Sequence, residues 1–390
     1  MKNFLQKEGT RSVLASLISI LIGLVAGSVL ILIVGLTTKG LGLQSAWEGI
    51  RLVFFGLFST GRNASGALTF GFNPSIVGNM LFRATPVILT GLSVAVAFKT
   101  GLFNIGAAGQ YTLGAFGALY CAIVLQWPWY LCLLAAMLFG AIWGALPGIF
   151  KAYLNINEVI TAIMFNWIGL YMVNDIMYGK GKSPMYDLAS TKTYSLRKAA
   201  PQAMIPSLGM SELFGKLQSV TIAIFIAIFF AIVVYIILNK TAFGYELRAC
   251  GFNKNAARYA GINEKRNIIL AMMISGALAG VGAGLYYLST VAEWNPQVST
   301  ALPAMGFNGI STALLACSNP IGTIFSSLFI SYITVGGTKL STQYYTKEIA
   351  DVITALIIYL CAFSLLFKNK IRALLVGKAK RVSVGKGGDD

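Results

Sequence analysis

Asn104 and Gln110 stand in the run Gly101-Leu102-Phe103-Asn104-Ile105-Gly106-Ala107-Ala108-Gly109-Gln110, where glycines and two amides open a long apolar stretch. Glycine lets backbones approach closely. An uncharged amide in apolar surroundings must find partners or line a wet cavity. The run therefore has two readings: packing in which amides glue helices together, or the wall of a polar path. About 200 residues later, Met305-Gly306-Phe307-Asn308-Gly309-Ile310 repeats the Phe-Asn pair between glycines. Paired interruptions of this kind point to an inverted repeat with the path between its halves, with a chance match of two residues as the competing explanation. Glu158, in Asn155-Ile156-Asn157-Glu158-Val159-Ile160, begins an apolar segment that also holds Asn166. An acid there suits a helix N-terminus or a polar path. Asn104, Gln110, Glu158, Asn166 and Asn308 are the candidate path residues.

A second constellation runs from Gly244 to Ile262. Asn253 is a good N-cap, Lys254 to Ala260 makes about two helical turns, and Gly261 is a natural stop. Arg248, Lys254 and Arg258 offer charge, and Tyr259 offers an aromatic anchor of the kind enriched at interfaces. These six residues (Arg248, Asn253, Lys254, Arg258, Tyr259, Gly261) make a docking element or a solvated basic loop.

Other chemistry is missing. There is no histidine, which excludes His-ligated metals, His-based nucleophilic systems and a His proton relay. Gly181-Lys182-Ser183 offers half of a phosphate-binding loop, but Ile176 occupies the first glycine position. Among five Asp and eight Glu, Glu348 and Asp351 are the one close pair near an apolar segment, too little for a metal cluster. The five cysteines form no CxxC pair and read as small apolar packing residues. No cofactor or metal is expected.

The elements that must position these residues follow from composition. Hydrophobic residues are 56% of the chain, charged residues 11%, and mean hydropathy is +0.73. A soluble protein carries roughly a quarter charged residues, so this is an all-α polytopic membrane protein. Sparse charge places spans at 12–38, at 79–98 with Arg83 near its start, two within the charge-free 100–150 broken near Pro128, at 157–178 carrying Glu158, and at 217–239, 267–288 and 348–367. Residues 294–338 hold two more spans or a re-entrant pair. The expectation is about ten transmembrane helices, or eight plus that pair. Basic residues cluster before residue 12, in 240–266 and after 367. The positive-inside rule puts these three regions, and so both termini, in the cytoplasm. Parity then leaves the basic segment 179–216 outside, against that rule. The first span reads as retained rather than cleaved. The net charge of +17 reflects bilayer orientation and not nucleic-acid binding.

Ala84-Thr85-Pro86 to Gly91-Leu92-Ser93, Gly101 to Gln110, Asn157-Glu158-Val159-Ile160, Glu246 to Ile262, and Ala313-Leu314-Leu315 to Asn319-Pro320 together resemble the membrane subunits of ABC importers for branched-chain amino acids, ribose and related sugars. The likeness covers most of the chain. Nearest are the nucleoside permeases that work with basic-membrane-lipoprotein-type binding proteins. The resemblance implies a permease domain over 1–367 with a coupling loop at 240–266, and a basic cytoplasmic tail at 368–390. It implies a bacterial plasma-membrane location and a pore shared with a second permease, homologous or identical. The further partners implied are an ABC ATPase subunit, an extracytoplasmic solute-binding lipoprotein and a nucleoside or sugar-like substrate. Ala108 stands where many members carry Glu. An ion-coupled secondary transporter, using Glu158 or Asp351 as its ion site, is the alternative.

Overall fold

The computed structural model describes residues 8–38, 41–64, 66–289, 292–296, 301–343, 345–363 and 366. The basic tail at 368–390, with Lys2 and Lys7, lies outside the described residues. The elements in chain order are α1 (Glu8–Thr37), α2 (Leu43–Phe55), the hairpin β1 (Ser59–Arg62) and β2 (Leu68–Phe70), α3 (Pro74–Lys99), α4 (Ala107–Ile123), α5 (Trp129–Leu154) and α6 (Glu158–Tyr178). Then come β3 (Tyr186–Asp187), β4 (Lys192–Thr193), α7 (Leu196–Ala199), α8 (Met210–Leu213), α9 (Ala223–Lys240), α10 (Ala242–Phe252), α11 (Lys254–Tyr259) and α12 (Glu264–Tyr287). The chain continues with α13 (Ala304–Leu315), α14 (Pro320–Gln343) and α15 (Lys347–Cys361).

Helical segments occupy all ten regions where spans are expected. Among the described residues, seven helices are long and apolar enough to cross a membrane: α1, α3, α5, α6, α9, α12 and α14. The region 294–338 does not hold two full spans. α13 is 12 residues, about 18 Å at 1.5 Å per residue, against a hydrocarbon core of about 30 Å. Left-handed Cys317 and Ser318 (φ +49° and +56°) break the helix. Asn319 then caps the restart by accepting from the amides of Ile321 and Gly322. This is an interrupted pair.

The chain divides into two units. The larger holds residues 57–313 and 318–335, with α12 and α3 at its centre. In those two helices 72% and 78% of the apolar stretch is buried, against 33% in α5, α6 and α9. The tightest packing is α12 on α5. A Cβ on Gly276 would run into the Gly140 carbonyl, one on Gly140 into the Gly276 carbonyl, and one on Gly280 into the Ala136 carbonyl. In lipid, side chains gain little by leaving a hydrocarbon solvent, so close backbone contact between small residues supplies the attraction.

Local chemistry sets the helix ends in this unit. Asn73 caps α3, where Pro74 takes the first helical position. Pro128 precedes α5, which ends at left-handed Asn155 (φ +51°). Asn157 caps α6 through the Val159 amide. α9 starts at Ala223, later than the expected 217, because residues 217–222 form turns. The segment after α6 folds over the end of α12. The Thr193 amide donates to the Trp294 carbonyl at 2.8 Å, and the buried Trp294 indole donates to Asn174 at 2.8 Å.

The smaller unit gathers α1, α2, residues 314–317, the turns of α14 from Gly336, and α15. Here α2 runs back along α1: Gly35 sits against Ala46, and Gly49 against Ile31 and the Tyr345 ring. Ile357 of α15 fills the notch left by Gly23 and Gly27 of α1. α2 and the β1–β2 hairpin have no counterpart among the sequence expectations.

Candidate functional site

The bend at 101–106 enters α4, whose first amides lack intrahelical partners. Two asparagines take up two of these amides. Asn104 accepts from the Gly106 amide at 2.9 Å, and Asn166 of α6 accepts from the Gly109 amide at 2.7 Å. Asn166 also donates to the Ile105 carbonyl at 3.0 Å. The Asn104 amino group donates to Gln110 Oε1 and to Ser275 Oγ of α12, both at 2.7 Å. Gln110 returns a bond to Asn104 Oδ1 at 3.2 Å. Ser275 donates to the Ser93 carbonyl of α3 at 2.6 Å. All five side chains are buried. Gly109 is required here, since a Cβ would sit 2.8 Å from Asn166 Cα. The network pins the bend to α3, α6 and α12 at once.

So the structure brings three of the five expected path residues together, and seals them. It does not bring in the other two. Glu158 starts α6 and pairs with Lys151 of α5 at 2.9 Å. It lies near enough to Lys254 to feel its charge, so it belongs to the α10–α11 end of the unit. Asn308 is half-buried on α13, and its side chain makes no hydrogen bond among the described residues. The two Phe-Asn pairs do not share a backbone conformation: Phe103-Asn104 is in the bend, Phe307-Asn308 is inside a helix. Their segments do meet, because Gly306 seats directly on the buried backbone of Ala108, while Gly309 seats on Thr90 of α3. Ser93 and Ser275 escaped the sequence reasoning. Serine inside a span is too common to mark a partner.

The segment 240–266 is not a loop with one short helix but a corner of two helices. Thr241 caps α10 through the Gly244 amide at 3.0 Å. Gly244 lets the chain fold tightly back from α9, since its Cβ would strike the Ile237 carbonyl. Asn253 ends α10 and caps α11, accepting from the amides of Asn255 and Ala256 at 3.0 and 3.1 Å. Gly261 follows at φ +78°, a conformation that suits glycine.

Leu247, Cys250 and Ala257 face inward. Arg248 is half-buried, with Nε donating to the Gly244 carbonyl at 3.4 Å. Asn253, Lys254, Arg258, Tyr259 and Gly261 are exposed. Phe252, absent from the expected set, is 93% exposed and Tyr259 94%. A groove of about 390 Å³ between the helices is lined by Tyr245, Arg248, Phe252, Asn253, Ala256 and Ala260, among others. The corner also touches the core. A Cβ on Gly101 would meet Gly251 Cα at 2.7 Å, so α10 bears on the backbone that leads into the amide-pinned bend.

A bundle of membrane-crossing helices whose exposed corner presses on its central bend is built as a transport permease. The chain belongs to the branched-chain amino acid transport system / permease component family, whose pattern matches residues 76–362. It is 32% identical over 373 residues to the guanosine ABC transporter permease protein NupP of Bacillus subtilis (strain 168), covering 94% of this chain and 97% of the relative. It is 32% identical over 385 residues to the nucleoside ABC transporter permease protein NupB of Lactococcus lactis subsp. cremoris (strain MG1363), covering 97% and 98%. The glucose ABC transporter permease protein TsgB13 of Haloferax volcanii is 28% identical over 298 residues, covering 74% and 77%.

Proposed function

We propose that this chain is the membrane-spanning subunit of an ABC importer that moves nucleosides, using ATP hydrolysed on separate subunits. The observation that carries the reading is the corner. Its two capped helices offer exposed Phe252 and Tyr259, and Phe252 lines the groove between them. Its Gly251 bears on Gly101, so a push on the corner reaches the core without a flexible link. The near-full-length likeness to permeases named for guanosine and nucleosides supports the substrate class.

In this reading Arg248, Asn253, Lys254, Arg258, Tyr259 and Gly261 engage an ABC ATPase in the cytoplasm, where both termini and the 368–390 tail also lie. A second permease subunit completes the pore over residues 1–367, and an extracytoplasmic binding lipoprotein delivers the solute. Asn104, Gln110 and Asn166 serve the route as its brace. Asn308, whose amide makes no hydrogen bond among the described residues, meets the solute. Glu158 ties the α5–α6 turn to the coupling corner. ATP binding closes the ATPase pair, and the corners carry that motion to the spans as rigid bodies.

The test is uptake of labelled nucleoside into proteoliposomes holding this chain, its partner permease and ATPase, with the binding lipoprotein supplied. Uptake should need ATP and should be competed by nucleosides and not by glucose. Purified alone, the chain should hydrolyse no ATP. Gradient-driven uptake without the ATPase subunits would replace this reading with the ion-coupled one.

A further inference from the structure

Arg83 is the sole charge between the ends of α3, nine residues after Pro74 and sixteen before Lys99. At 1.5 Å per residue it lies about 24 Å from the coupling end of its helix. A guanidinium near the start of a span normally finds a partner or reaches toward the interface. Arg83 Nε donates to Asn79 Oδ1 at 3.3 Å, and among the described residues no carboxylate pairs with it. Most of its donors are unspent.

Its surroundings are aromatic. Phe82 stacks on Tyr286 of α12, with ring centroids 5.0 Å apart and planes 18° from parallel. Arg83 follows Phe82 directly in α3, so it adjoins the stacked pair. Arg83, Phe82 and Tyr286 are all only partly buried, which leaves ring surface and donors available. Position also matters. Residues 79, 83 and 90 fall on one face of α3. Thr90 on that face donates to the Met305 carbonyl at 2.9 Å and receives Gly309 of α13. Arg83 thus stands two turns from the seat of α13, the helix that carries Asn308.

We propose that Arg83, Asn79 and the Phe82–Tyr286 pair form a subsite for the base of a 6-oxopurine nucleoside. The rings offer a stacking surface. The guanidinium fork matches the paired acceptors O6 and N7 of such a base, whereas adenine presents a donor at that edge. The assignment rests on the nucleoside reading above.

The experiment measures uptake of guanosine and adenosine by the reconstituted complex, with one binding lipoprotein throughout, for wild type, Arg83→Gln, Arg83→Lys and Tyr286→Leu. Assembly is followed by co-purification. Arg83→Gln should shift the guanosine-to-adenosine ratio toward adenosine by roughly 10-fold, because a glutamine amide matches the adenine edge. Arg83→Lys, which keeps the charge without the fork, should fall between. Tyr286→Leu should lower both substrates alike. If wild type takes up no nucleoside, the importer reading fails and the subsite falls with it. If wild-type uptake is normal and an assembled Arg83→Gln leaves the ratio unchanged, the subsite is wrong and the importer reading stands. Should Arg83→Gln not assemble, the Arg83→Lys ratio decides in the same way. Stronger competition by guanosine monophosphate than by guanosine would also overturn the assignment.

Discussion

Asn166→Leu separates a brace from a path wall. The leucine keeps the branched four-atom skeleton, with bulkier methyls, but removes the acceptor for the Gly109 amide and the donor to the Ile105 carbonyl. Both backbone groups lie where α4 begins, against the buried Asn166. A buried polar group left unmade costs about 1–3 kcal/mol, so the pair should cost about 3 kcal/mol. At roughly 2–4 °C per kcal/mol for large domains, the unfolding midpoint in detergent should fall by about 6–12 °C. All five cysteines are free and buried, so a thiol-reactive fluorophore reads unfolding directly. An Asn166→Leu variant that melts with wild type yet loses nucleoside uptake would refute the brace and return Asn166 to the path.

Three further outcomes are expected. Gly261 sits at φ +78°, so Gly261→Val should weaken ATPase co-purification and uptake more than Gly261→Asn, since asparagine tolerates that region and a β-branched residue does not; equal wild-type behaviour of both would make the corner a mere solvated turn. Glu158→Gln, which breaks the 2.9 Å pair with Lys151, should reduce uptake with assembly retained, and adding Lys151→Gln should cost little more; independent, additive losses in a double-mutant cycle would contradict a shared role. Gly280→Val forces a side chain into the Ala136 carbonyl and should abolish a monodisperse peak in size-exclusion chromatography, whereas a normal peak would mean that α5 and α12 can separate cheaply.

Much of this arrangement was legible in the sequence. Where charge is scarce, its gaps outline spans, and Pro128, Asn157, Asn253 and Gly261 act locally, within a few residues, as a cap or stop must. The misses are of another kind. α10 was not foreseen: its Gly244 and Gly251, poor helix formers, serve close approach to Ile237 and to Thr100 and Gly101. α2 is amphipathic and carries Glu48 and Arg51, so it left no charge-free gap. Ser275, the partner of Asn104 on α12, lies 171 residues away in the chain, and no periodicity links the two. The repeated Phe-Asn pair misled in detail, since identical dipeptides took up a bend in one place and a helix in the other.

The bare aromatics of the corner bear on how the subunit is produced. Phe252 and Tyr259 are each more than nine-tenths exposed, and covering such rings is worth on the order of a few kcal/mol apiece. A chain made without a partner to cover them carries a sticky surface on a membrane-anchored body, where neighbours diffuse in two dimensions and collide often. Surplus copies should cluster through these rings and be recognised as orphans by proteases. Stoichiometric synthesis with the covering subunit should therefore govern yield, and Phe252→Ser with Tyr259→Ser should raise the yield of the chain expressed alone while abolishing its use in a working complex.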